Sequence, residues 1–128
     1  MKRSKLALNL AAIAFAAFGL ILFIAPGILK SVGIGIIDNG PGAVELRAFY
    51  GGIQLGLAAF FALAARRPEW IKTALMGLVL VLGGVVLIRG FALLIAGFQA
   101  NLLIYLSWLG ETALFVYALL ALARNENE

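Results

Sequence analysis

The chain has 128 residues, 64% of them hydrophobic and 12% charged, with a mean hydropathy of +1.08 and a formal net charge of +4. Soluble domains are about half apolar and about a quarter charged, so these values exclude an ordinary soluble protein and point to one integral-membrane domain, 1–128, with no nucleic-acid partner. Cys and His are both absent from the sequence, which removes disulfides, thiolate nucleophiles, iron–sulfur sites and imidazole ligands, and no metal or cofactor is expected.

Met1-Lys2-Arg3-Ser4-Lys5 is a basic head before an apolar run, Leu6 to Ala25, that Pro26-Gly27 closes. A secretory signal peptide is the competing reading. The run has 20 residues, whereas a signal core has about 7–15, and about 20 residues suffice to cross the hydrocarbon. A retained first span over 6–25 is expected. Gly27 to Gly42 has too few apolar residues to cross. It reads as a short interfacial helix begun by Pro26 and ended by Asp38-Asn39-Gly40, or as a loop among the headgroups.

The second span is expected over 43–65 and stops at Arg66-Arg67-Pro68-Glu69, with Trp70 as an interfacial anchor. The third is expected over 71–98, interrupted by Arg89. Gln99-Ala100-Asn101 is a tight turn into a fourth span over 102–123, which contains Ser107, Glu111 and Thr112. The polar residues 124–128 read as a frayed tail. The fold class is therefore all-α, an antiparallel four-helix transmembrane bundle. Lys2, Arg3, Lys5, Arg66, Arg67, Lys72 and Arg124 fall on one face of the membrane and Lys30 on the other, so both termini are expected in the cytoplasm of a bacterial inner membrane.

At 1.5 Å per residue, Glu45 and Arg47 lie ~3–8 Å below the outer boundary, Arg89 ~12 Å and Glu111 ~15 Å. A charge at the centre of a spanning helix costs about 2.5–3.5 kcal/mol to insert, so Arg89 and Glu111 unpaired would cost ~5–7 kcal/mol together. Their similar depth on adjacent helices predicts a pair, with the guanidinium offering the carboxylate two parallel N–H groups. Glu45 and Arg47 stand ~200° apart around their helix and cannot pair with each other. Ser107 and Glu111, at i and i+4, are placed to hydrogen-bond locally. Gly52 and Gly56 form a small-xxx-small pattern next to Gly51, with Gly83, Gly84 and Gly90 as its receiving surface.

Glu45-Leu46-Arg47-Ala48-Phe49-Tyr50-Gly51-Gly52, followed by Leu55-Gly56, Gly83-Gly84, Arg89-Gly90 and Glu111, resembles the bacterial domain of unknown function 4345 over nearly the whole chain. The resemblance implies a small four-span inner-membrane protein with no assigned activity. Members often carry an acidic residue near the end of the third span, where this sequence has Ala96-Gly97-Phe98.

The functional expectation is a non-enzymatic protein holding a small or lipidic molecule in an outward-facing polar pocket. Glu45, Arg47, Tyr50, Gln54, Arg89, Ser107 and Glu111 would line it. An accessory subunit with purely architectural charges, seated on a partner membrane protein or a second copy, is one alternative. A homodimeric carrier in which Glu111 changes protonation is another.

Overall fold

The structure, a computed structural model, describes residues 1–35 and 40–125. The expected helix end at Asp38-Asn39 and the tail residues 126–128 lie outside them. Four helices are long and apolar enough to cross a membrane: α1 Lys2–Ile24, α2 Pro41–Ala64, α3 Pro68–Ile95 and α4 Leu102–Asn125. Among the described residues there is no strand.

The helix ends follow local chemistry and correct the expected boundaries by a few residues. Pro41 and Pro68 stand in the first turns of α2 and α3, where a missing N–H costs nothing. The third span was expected to run to Phe98. Instead α3 stops at Ile95, because Gly97 takes a left-handed φ of 63°. The Phe98 N–H then donates to the Leu93 carbonyl and the Gly97 N–H to that of Leu94, a Schellman closure. Phe98 is itself left-handed, and its carbonyl accepts the Tyr105 hydroxyl from the first turn of α4.

In place of the expected interfacial helix over 27–42, a 3-10 helix spans Pro26–Val32. It closes in the same way, with Gly33 at φ 86° and the Ile34 N–H on the Leu29 carbonyl. Asn101 ties this segment to α4. Its Oδ1 caps the Ile104 N–H and its Nδ2 donates to the Ser31 carbonyl at 2.6 Å.

Packing is closest within two pairs, α1 with α2 and α3 with α4, and α1 also touches both members of the second pair. As residue numbers rise along α3 they fall along α4: Gly83 meets Phe115 and Gly90 meets Trp108. The same holds where Phe15 meets Phe61 and Phe23 meets Gly51. A single core joins Ala7, Leu8, Ala11 and Ala12 of α1, Phe61 and Ala64 of α2 with Ala65 just after it, Ile71, Ala74, Leu75, Leu78 and Leu82 of α3, and Ala118 and Ala121 of α4. All of these lie toward one end of the four helices, the end that also carries Lys2, Arg3, Lys5, Arg66, Arg67, Lys72 and Arg124. At this basic end the Arg67 guanidinium lies over the Trp70 ring, 4.8 Å from its centroid, an attraction to the negative ring face. At the far end α4 has no buried residue from Leu102 to Tyr117.

Within α2, residues Arg47–Gly52 form a π turn. Ala43, Arg47, Gly51 and Leu55 follow one another at intervals of four. Three such steps would drift ~120° around an α-helix, and the extra residue of the π turn absorbs the drift. Gly51 thereby stays against α1, where a Cβ would lie 3.3 Å from the Gly19 carbonyl oxygen. This corrects the expected glycine seam: Gly51 and Gly19 make the contact, whereas Gly52 and Gly56 are exposed.

Gly51→Leu should therefore push α1 and α2 apart and lower stability in detergent by about 1–3 kcal/mol. Gly56→Leu, at a position where nothing lies within 4 Å of the added Cβ, should stay within roughly 0.5 kcal/mol. Thermal unfolding of the two variants beside the parent checks the difference.

Candidate functional site

Arg89 and Glu111 meet across α3 and α4. Arg89 Nε donates to Oε2 of Glu111 at 2.9 Å, and a terminal guanidinium nitrogen donates to Oε1 at 3.0 Å. This is the bidentate fork expected from the sequence, in which charge and geometry reinforce each other. The pair lies ten residues from Asn101 along α4, ~15 Å of helix, beyond the main core and on the part of α4 that has no buried residue. Its side chains stay 34% and 24% exposed.

Small residues make the approach possible. Trp108 lies against Gly90, whose added Cβ would sit 3.4 Å from the indole ring. The indole Nε1 donates to the Val86 carbonyl at 3.1 Å. Two turns further, Gly83 receives Phe115, with only 3.1 Å between an added Cβ and the ring edge. On α4, Trp108, Glu111 and Phe115 share one helical face at spacings of three and four; Gly83, Val86 and Gly90 do so on α3. Trp108 is the seventh residue of α4. Its depth in the span, away from any interface, was the signal that the indole N–H needs a protein acceptor.

The remaining expected site residues do not join this pair. Arg47 turns instead to α1, its Nε donating to the Phe23 carbonyl at 2.9 Å. The cause is Pro26, which ends α1 and leaves its last carbonyls without regular N–H partners. A cation there also complements the negative end of the helix dipole. Glu45 is exposed and enters no ion pair among the described residues. Tyr50 is half exposed and Gln54 partly so. Ser107 is partly buried, but the side-chain hydroxyl bonded within this part of α4 is that of Thr112, on the Trp108 carbonyl at 2.7 Å. Of the expected receiving glycines, Gly83 and Gly90 hold a ring and Gly84 faces open space.

Two cavities, of about 350 and 80 Å³, lie at the basic end, and none of these seven residues lines either one. The far end presents a face open along its side, with one neutralised ion pair set among apolar side chains. Two of the five guanidinium N–H groups engage the carboxylate in the two bonds above, and the rest can bind a polar group brought in from the membrane.

Arg89→Ala and Glu111→Ala should each destabilise the protein, and the double variant should lose less than the sum of the two single losses. A coupling of about 0.5–3 kcal/mol is expected from the cycle, read from detergent unfolding; strictly additive losses would contradict it. No protein-family model, characterised protein or solved structure matches the chain.

Proposed function

We propose that this chain is a small, non-enzymatic membrane protein of the bacterial inner membrane, an antiparallel four-helix transmembrane bundle with both ends cytoplasmic. The proposed role is to bind a lipidic molecule sideways against the Arg89–Glu111 pair. The resemblance to the domain of unknown function 4345 belongs to the same proposal and adds architecture, not activity.

What supports the reading is the exposure of a bidentate ion pair beyond the main core, on a stretch of α4 with no buried residue. Hydrocarbon offers nothing to the unused guanidinium N–H groups or carboxylate lone pairs. A ligand hydroxyl, ester or ketone does. Glu111 already balances the Arg89 charge, which favours a neutral polar group over an anion. The exposed apolar side chains beside the pair, Ile88, Phe91 and Leu109, suit a hydrophobic body attached to that group.

A second reading rests on the same open face. With no buried residue in α4 from Leu102 to Tyr117, a partner helix or a second copy fits there as well, making the protein an accessory subunit.

Native mass spectrometry of protein released from its own membrane separates the two. A monomer carrying a neutral lipid adduct is expected, and the adduct should be lost in Arg89→Leu/Glu111→Leu while the helical signal remains. A bare dimer supports the accessory reading, and a bare monomer overturns the first. Orientation is tested independently. The chain has no native Cys, so an impermeant thiol reagent outside intact cells should label Gly35→Cys and spare Asn125→Cys.

A further inference from the structure

At the basic end, the amino-terminal turn of α1 and the last turn of α4 enclose a cavity of about 350 Å³ lined by Met1, Lys2, Arg3, Ser4, Ala121, Arg124 and Asn125. A second cavity of about 80 Å³ shares Arg3, Ala121 and Arg124 and extends along α4 to Tyr117 and Leu120. We propose that the two together form a binding site for an anionic phospholipid, its phosphate held by Arg3 and Arg124 and one acyl chain laid along Tyr117 and Leu120. This site is independent of the Arg89–Glu111 face.

Among the described residues no acidic side chain lines either cavity. Arg3 and Arg124 enter no ion pair or ring contact among the described residues, whereas Arg67 is occupied by Trp70. Convergent cations repel one another unless an anion lies between them, and two guanidinium forks suit phosphate oxygens better than ammonium groups do. The backbone adds to this. Helix α1 begins with no side-chain cap and no acidic residue in its first turn, and Met1, Lys2, Arg3 and Ser4 of that turn line the cavity, so the positive end of its dipole adds to the charge there.

The larger volume falls in the range of small-ligand sites, about 300–1,000 Å³. What distinguishes a lipid from free phosphate is the smaller cavity. It runs from the same two arginines past Tyr117 onto Leu120, which is 54% exposed on an otherwise apolar helix surface. A phosphate alone would leave that track unfilled. Basic pockets between spanning helices on the cytoplasmic side recognise anionic lipid headgroups by this combination of charge and depth.

The test uses the full-length protein in neutral detergent, titrated with phosphatidylglycerol and separately with phosphatidylcholine under native mass spectrometry. Phosphatidylglycerol should bind at least tenfold more tightly than phosphatidylcholine. Arg3→Gln/Arg124→Gln should erase that preference, and Arg3→Lys/Arg124→Lys should keep part of it. Arg66→Gln, which removes a cation from the same end but not from the cavity, should leave it unchanged. Leu120→Gln should weaken binding of phosphatidylglycerol but not of its headgroup, glycerol phosphate. Equal binding of the two lipids, or equal loss in Arg66→Gln, would overturn the site in favour of diffuse surface charge. Full displacement of the lipid by millimolar inorganic phosphate would overturn the lipid assignment.

Discussion

Hydrocarbon supplies no hydrogen-bond partner, and that one constraint explains the placement of nearly every polar contact at the far end of this protein. Arg89 finds Glu111, Arg47 finds the open carbonyl of Phe23, the Trp108 indole finds Val86, and the Thr112 hydroxyl folds back on its own helix. Most of these contacts sit beside a position without a side chain: Gly90 under Trp108, Gly83 under Phe115, Gly51 beside the end of α1. Polar satisfaction and close backbone approach are thus one design. Removing either partner of a pair exposes the other to a medium that cannot compensate it.

The two ends of the bundle are held differently. At the basic end the core is built largely from alanines, Ala7, Ala11, Ala12, Ala64, Ala65, Ala74, Ala118 and Ala121, filled in by Leu8, Phe61, Ile71, Leu75 and Leu78. Small side chains let four helices meet where dispersion and tight packing act over many atoms. Toward the far end the apolar residues are bulky and turn outward, as with Leu87, Ile88, Phe91, Leu94 and Leu106. Cohesion there passes to the specific polar contacts and to the Asn101 bridge onto Ser31.

The sequence reading and the structure agree best where the physics is coarse. Long apolar runs bounded by charges are visible without coordinates, because each must exceed the thickness of the hydrocarbon. The Arg89–Glu111 pair is visible for a related reason: counting residues from a turn fixes depth. Helix ends were less legible. Pro68 and Gly97 are both strong punctuation, yet apolar neighbours such as Ala96 and Phe98 masked the stop at Ile95. The glycine seam was misplaced because Gly51, Gly52 and Gly56 cannot be assigned to faces without knowing the local turn, and no simple pattern announces a π turn. The partner of Arg47 was invisible for a different reason. It is a backbone carbonyl, released by Pro26, and side-chain inventories do not count such acceptors.

The π turn at Arg47–Gly52 divides α2 into two rods whose angular clocks run out of step. An ordinary helix transmits rotation rigidly along its length, so any change at Glu45 would dictate the facing of Phe61. Here one surplus residue sits between them and offsets their facing by roughly 100°. The guanidinium that clasps α1 and the alanine-lined base can therefore each keep its own best azimuth. Tight seating at one end and exposure at the other are two settings of a single helix, offset by one residue.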